Sequence, residues 1–136
     1  MSGFTLHLQD AQSYERVDGV QCFVGTDASG SFGLLAGHER FMTALVFGLA
    51  RYRDADDRWI YLALPGGLVY FVDNALFLST RRLICGPDVD QVSVLLRTQL
   101  AAEERELVAM HKSLERLEQE MLKRLRRLGR MREAIP

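Results

Sequence analysis

Short apolar or β-branched runs of strand length mark the first part of the chain: Thr5–Leu8, Val20–Val24, Phe41–Leu45, Leu49–Arg53, Trp59–Leu64, Leu68–Val72 and Ala75–Thr80. Between them lie Asp18-Gly19, Ser29-Gly30, Asp54 to Asp57, Pro65-Gly66-Gly67 and Asp73-Asn74, residues that tolerate positive φ or bond their own backbone. Asp73-Asn74 between two strands predicts a tight hairpin. Within Trp59–Leu64, Ile60, Leu62 and Leu64 share one face, and Trp59, Tyr61 and Ala63 share the other. A strand apolar on both sides is expected to be covered on both, by sheet, helix or partner. Many short strands at this spacing predict a β-sandwich or barrel.

After residue 86 the period changes, which divides the chain into a β-sandwich domain, 1–86, and a helical domain, 87–136. Asp88 is placed to cap a helix, with Gln91 three residues on in a capping-box arrangement. No Gly or Pro occurs from Asp88 to Leu128, and Val92, Leu96, Leu100, Leu107, Met110, Leu114, Leu117, Met121, Leu125 and Leu128 form one stripe. An unbroken helix of about 44 residues would reach roughly 65 Å, and a hairpin roughly 30 Å. The hairpin is the preferred expectation, broken near Ala109–Ser113, where Ser113 can cap a second helix with Glu115 in its first turn. Charge along this arm is polarised: Glu103, Glu104, Glu106, Glu115, Glu118 and Glu120 give way to Lys123, Arg124, Arg126, Arg127, Arg130 and Arg132. Acid early and base late suits the helix dipole of a solvated arm. It also suits a basic tip that docks on an acidic surface.

With 136 residues, 48% hydrophobic and 26% charged, the composition is that of a globular chain, and a net charge of −1 gives no argument for nucleic acid. Residues 1–20 lack the basic start and apolar run of a secretory leader, and no apolar stretch approaches the roughly 20 residues of a membrane span. The expected setting is the cytosol, or the surface of a membrane-bound partner. Cys22 and Cys85, each flanked by apolar residues, are expected as two buried thiols. Gly25-Thr26-Asp27-Ala28-Ser29-Gly30-Ser31-Phe32-Gly33 is glycine-rich but lacks a following Gly-Lys-Ser/Thr and any strand-to-helix step. It is expected as a bent loop between strands, not a phosphate cradle. His7, His38 and His111 fall in a strand, a turn and the helical arm, with no HExxH, CxxC or nucleophile elbow near them. No carboxylate pair sits in an apolar segment that would raise a pKa. Catalytic, cofactor-binding and metal-binding residues are therefore not expected, and His38 is assigned to a turn or a partner contact.

Three ordered segments resemble the epsilon subunit of F-type ATP synthases. Gly30 to Leu45 is similar to that family's glycine-flanked strand, Pro-Gly-His turn and apolar-Thr-apolar strand, with Gly37-His38 and Thr43 in place. Pro65 to Leu78 looks like its Gly-Gly-led hairpin with Asn74 as the turn residue, and Asp88-Val89-Asp90 opens the arm. Arg40–Thr43, Leu49–Arg53 and Trp59–Leu64 look more like the divergent epsilon of the alternate, sodium-translocating bacterial ATPase.

The resemblance implies a sandwich of about ten strands in two sheets, followed by a C-terminal helical hairpin or long helix. It implies a non-catalytic, peripheral rotor subunit on the cytoplasmic face of a bacterial inner membrane, joining a γ subunit to a c ring. The arm would reach α and β subunits and impede ATP hydrolysis. On this chain, Ser29, Gly30, Ser31 and Phe32 would face the c ring, and His38 and Thr43 would face γ. Lys123, Arg124, Arg126 and Arg127 would belong to the docking tip. There are departures. Ala36 stands where the family has Pro, and Ser31 where an acid is common. Ser93-Val94-Leu95-Leu96-Arg97 is bulkier than the family's alanine-rich first helix and is expected to lie less flat on the sandwich. The Asp-x-x-Arg-Ala element for ATP has no counterpart, so no nucleotide site is expected. A different use of the same stripe is a standalone adaptor, a sandwich carrying a dimerising coiled coil.

Overall fold

The computed structural model describes residues 3–133, with side chains described through Gly129. Ten strands come first: β1 (Phe4–Gln9), β2 (Tyr14–Val20), β3 (Cys22–Asp27), β4 (Gly30–Leu35), β5 (Phe41–Leu45), β6 (Gly48–Arg53), β7 (Trp59–Leu64), β8 (Gly67–Val72), β9 (Ala75–Thr80) and β10 (Ile84–Gly86). Helix α1 (Val89–Leu95), a π-helical turn (Leu96–Leu100) and α2 (Ala101–Glu133) complete the chain. It divides into two compact units, the first ending at Ala101 and the second beginning at Ala102.

In the first unit, β4-β3-β6-β7-β10 form one sheet and β5-β8-β9-β1-β2 the other, joined where Asp27 pairs with Leu45. All pairings are antiparallel except that of β1 with β9. The period-2 pattern turns one face of each sheet inward. Phe4, Leu6, Leu8, Val69, Phe71, Leu76 and Leu78 meet Phe23, Leu34, Ala50, Tyr52, Leu62 and Leu64 in one core. Each fully buried Leu or Phe there contributes roughly 1.5–3 kcal/mol, so this layer is the main source of stability.

The two-faced strand is covered on both sides, as its sequence predicts. Leu62 and Leu64 of β7 enter the core, and Ala63, between them, lies beneath Val92 and Leu100 with Leu49, Tyr61, Ile84 and Leu96 around it. Asp88 caps α1, accepting from the amides of Asp90 at 3.0 Å and Gln91 at 3.4 Å. Val92, Leu96 and Leu100 are four apart, a spacing that drifts about 40° per step on an α-helix. The π-helical turn accommodates the surplus residue, and Leu100 returns to the face that Val92 uses. The bulkier first helix therefore does pack on the sandwich, over the small Ala63.

Other expectations are corrected. Gly25 to Gly33 is not a loop but the β3–β4 hairpin, turning at Ala28-Ser29. Val20–Val24 is not one strand, because Gln21 separates β2 from β3. Cys22 is buried, but Cys85, on the short edge strand β10, is exposed, and both thiols are free. In the second unit α2 runs unbroken through Ala109–Ser113, so the arm is not a hairpin. Ser113 has helix on both sides, and good helix formers around it leave nothing to favour a break.

Register fixes which turns share an end. The β3–β4 turn, Val46-Phe47, Pro65-Gly66 and Asp10 to Ser13 lie at one end of the sandwich. Leu35 to Arg40, Asp54 to Arg58 and Asp73-Asn74 lie at the other.

Candidate partner-binding site

At the β3–β4 end one carboxylate holds two of the expected site residues. Asp27 Oδ1 accepts from the Ser29 amide at 2.9 Å and the Ser29 hydroxyl at 2.5 Å, and Asp27 Oδ2 accepts from the Thr43 hydroxyl at 2.7 Å. The hairpin tip is thus fastened to β5 of the other sheet, beside the Asp27–Leu45 pairing that joins the sheets. The Ser29 hydroxyl, then the Thr43 hydroxyl and the Ser29 amide, hold the Asp27 carboxyl below the usual carboxylate range. Ser29, Gly30 and Ser31 are exposed, Gly30 at a φ of 129° with open space around it. Ser31 also lines a groove of about 330 Å³ with Val24, Thr26, Arg51 and Tyr61 on the outer side of the first sheet. Phe32 differs from its neighbours: it is half-buried, its ring 5.2 Å from Phe41 and 6.3 Å from Phe23.

His38 lies at the opposite end of β4, a six-residue strand or roughly 20 Å away. Its amide donates to the Leu35 carbonyl at 3.2 Å across a turn in which Gly37 has a φ of 77°, a conformation that favours glycine. The ring packs edge-on against Phe41 at 5.7 Å and Phe71 at 5.8 Å, with Nδ1 2.8 Å from the Glu39 carbonyl. Asn74 holds the turn from outside. Its Oδ1 accepts from the Gly37 amide at 2.8 Å and its Nδ2 donates to the Gly3 carbonyl at 2.9 Å. Asp73 and Asn74 have φ of 50° and 58°, the two left-handed residues of a tight hairpin.

The structure therefore brings Ser29 and Thr43 together on Asp27, leaves Ser31 beside Thr26 at the same end, and sets His38 apart at the far end. Lys123, Arg124, Arg126 and Arg127 are exposed on α2, in the second unit, and the side chains of Arg130 and Arg132 lie outside the described residues. Sequence reasoning missed Asp27, whose signal was an Asp two residues before a turn Ser. It also missed Val46 and Phe47, an exposed apolar pair in the turn beside the hairpin, and the outer face of the second sheet. Met42, Tyr70, Phe77, His7 and Arg16 are successive cross-strand partners on that face. His7 stacks on Phe77 at 4.5 Å and hydrogen-bonds the Tyr14 hydroxyl. Among the described residues no charged side chain is buried, no cluster of His, Cys, Asp and Glu is arranged for a metal, and no helix is long and apolar enough to cross a membrane.

Residues 5–84 match the β-sandwich domain of the ATP synthase delta/epsilon chain. The chain belongs to that family. It is similar to ATP synthase epsilon chain 2 of Cereibacter sphaeroides, 30% identical over 86 residues that cover 62% of this chain and 59% of the relative. It is also similar to the ATP synthase epsilon chain of a Synechococcus species, 32% identical over 65 residues, 48% of this chain and 47% of the relative. The matched region thus spans roughly half to three-fifths of these relatives. Among solved structures, a chain of the Euglena gracilis mitochondrial ATP synthase OSCP/F1/c-ring assembly superposes with a TM-score of 0.59 at 19% identity, covering 80% of this chain and 66% of that one. A chain of the Tetrahymena thermophila mitochondrial ATP synthase central stalk and c-ring gives 0.52 at 15% identity, covering 59% and 64%. At these identities the likeness is one of fold. The matched span of this delta/epsilon sandwich holds Asp27, Ser29, His38, Thr43 and Asn74.

Proposed function

We propose that this chain is a non-catalytic central-stalk subunit of an F-type ATP synthase, its sandwich joining a γ subunit to the c ring. The observation that carries this is the family match over residues 5–84, which takes in both sheets. A rotor element must transmit torque without deforming, and two packed sheets cross-fastened by the Asp27 cluster suit that task. Ser29, Gly30 and Ser31 form the tip that meets the polar loops of the c ring, with Phe32 holding it from the core side. His38 and Thr43 are assigned to γ contacts, and Met42, Leu68 and Phe77, exposed on the outer face of the second sheet, give a protein partner apolar surface to cover. The protein is peripheral and meets the membrane only through the complex, on the cytoplasmic face of a bacterial inner membrane. The helix beyond Ala101, the second unit, forms a separable helical limb. Lys123, Arg124, Arg126 and Arg127 meet acidic surface on α and β subunits when the arm restrains hydrolysis.

Truncation after Ala101 keeps the buried Leu100 in place and removes the second unit. The shortened chain should bind γ and release hydrolysis by the assembled complex. Failure to bind γ would defeat the rotor assignment. Unchanged hydrolysis would defeat the inhibitory role alone. Reversing Arg126 and Arg127 to Glu should weaken restraint in a salt-sensitive way.

A further inference from the structure

The apolar stripe of α2 is exposed along its described length, with Leu114 at 57% and Met121 at 62%. Leu107, Leu114, Met121 and Leu128 recur seven apart, and Met110 and Leu117 follow the first two by three residues, the a and d positions of a heptad repeat. A solvated amphipathic helix gains most of its stability from whatever covers its apolar face.

We propose that, outside an assembled rotor, this face is covered by α2 of a second copy of the chain, laid antiparallel. Charge decides the direction. Parallel pairing would set the acidic start of one stripe, around Glu104 and Glu106, beside the same acids of the other. It would also gather Lys123, Arg124, Arg126 and Arg127 of both copies at one end. Antiparallel pairing reverses this. With Leu114 facing Leu117 of the other copy and Met110 facing Met121, the flanking Glu106 comes opposite Arg127, twice by symmetry. Arg124 takes the d position of the third repeat, where its stem lies over Leu107 and its head reaches water. The stripe covers only about three heptads, so the association is reversible and follows concentration. The same Arg127 serves the proposed docking tip, so pairing and docking exclude each other.

The test is the mass of the full-length chain in solution, by sedimentation equilibrium over about a hundredfold range of concentration. It should climb from the 15.4 kDa monomer toward the dimer. Leu114→Lys should hold the chain monomeric. Glu106→Lys and Arg127→Glu should each weaken association by about two- to tenfold, and the double variant should restore it. In a background of Cys22→Ala and Cys85→Ser, checked for folding by circular dichroism, a mixture of E106C and R127C chains should cross-link efficiently. E106C with itself should not. A monomer at every concentration, E106C self-linkage, or no restoration in the double variant would overturn the proposal. Binding of γ by the chain cut after Ala101 is measured separately, so failure here leaves the rotor assignment standing.

Discussion

Asn74 has two roles that a substitution series separates. Its backbone takes the second left-handed position of the β8–β9 turn, and its side chain bridges the Gly37 amide and the Gly3 carbonyl. Glycine keeps the first role and loses the second. A typical intramolecular hydrogen bond contributes about 0.5–1.5 kcal/mol net, and both of these are near the surface, so Asn74→Gly should cost about 1–2 kcal/mol. Asn74→Ala loses the same bonds and also holds a Cβ at positive φ, which adds about 1 kcal/mol. Asn74→Asp keeps an acceptor for Gly37 but no donor for Gly3, and should fall between wild type and glycine. Urea unfolding gives the order directly, with the midpoint shifting at constant slope. The Gly37 amide should also lose hydrogen-exchange protection in the glycine variant, because the turn is then held only by its own backbone bond. If Asn74→Gly is as stable as wild type, the bridge contributes nothing. If alanine and glycine are equal, the left-handed requirement is not what the turn imposes.

Gly67 is limited by space: a Cβ there would lie 2.6 Å from the Ser79 carbonyl oxygen, so Gly67→Ala should destabilise by about 1–3 kcal/mol in a thermal melt. Equal stability would mean that β8 and β9 part without cost. Burial, reinforced by Glu15, pushes the Tyr52 hydroxyl up to about 12, so the native state keeps that proton longer than the unfolded chain, whose reference value is 10.0. Its contribution is intact below pH 10.0 and disappears as pH climbs toward 12; Tyr52→Phe should remove this alkaline loss, as read from unfolding midpoints against pH. Asp27 has the opposite sign, because its folded carboxyl lies below the reference 3.8. It stabilises above that value and fails as pH falls through the folded one, so Asp27→Asn should flatten the acid limb of the stability profile. An unchanged limb would remove Asp27 as the fastener.

Alternation in Leu68–Val72 and Ala75–Thr80, the turn at Asp73-Asn74 and the cap at Asp88 are decided by local sequence, because side-chain period, positive φ and an orphan helix amide act within a few residues. Trp59–Leu64 announced that it needed cover on both faces, since apolar side chains point both ways along it. Three strands were not legible, each for its own reason. β2, Tyr14–Val20, carries three charged residues in seven and is largely exposed, because an edge strand need bury little. β4 is broken up by Gly30 and Gly33, and β10 has only three residues.

What only the tertiary structure decided is which loops keep company. Asp27, Ser29 and Thr43 meet because two sheets close on each other there, an event that sequence distance does not encode. His38 is carried to the opposite end by the length of a single strand. The π-helical turn follows from the same cause: Leu96 and Leu100 must reach a surface whose position another part of the chain sets. The stripe on α2, in contrast, is written fully in the sequence, because helical period is local. Which protein surface covers it is a matter of partners.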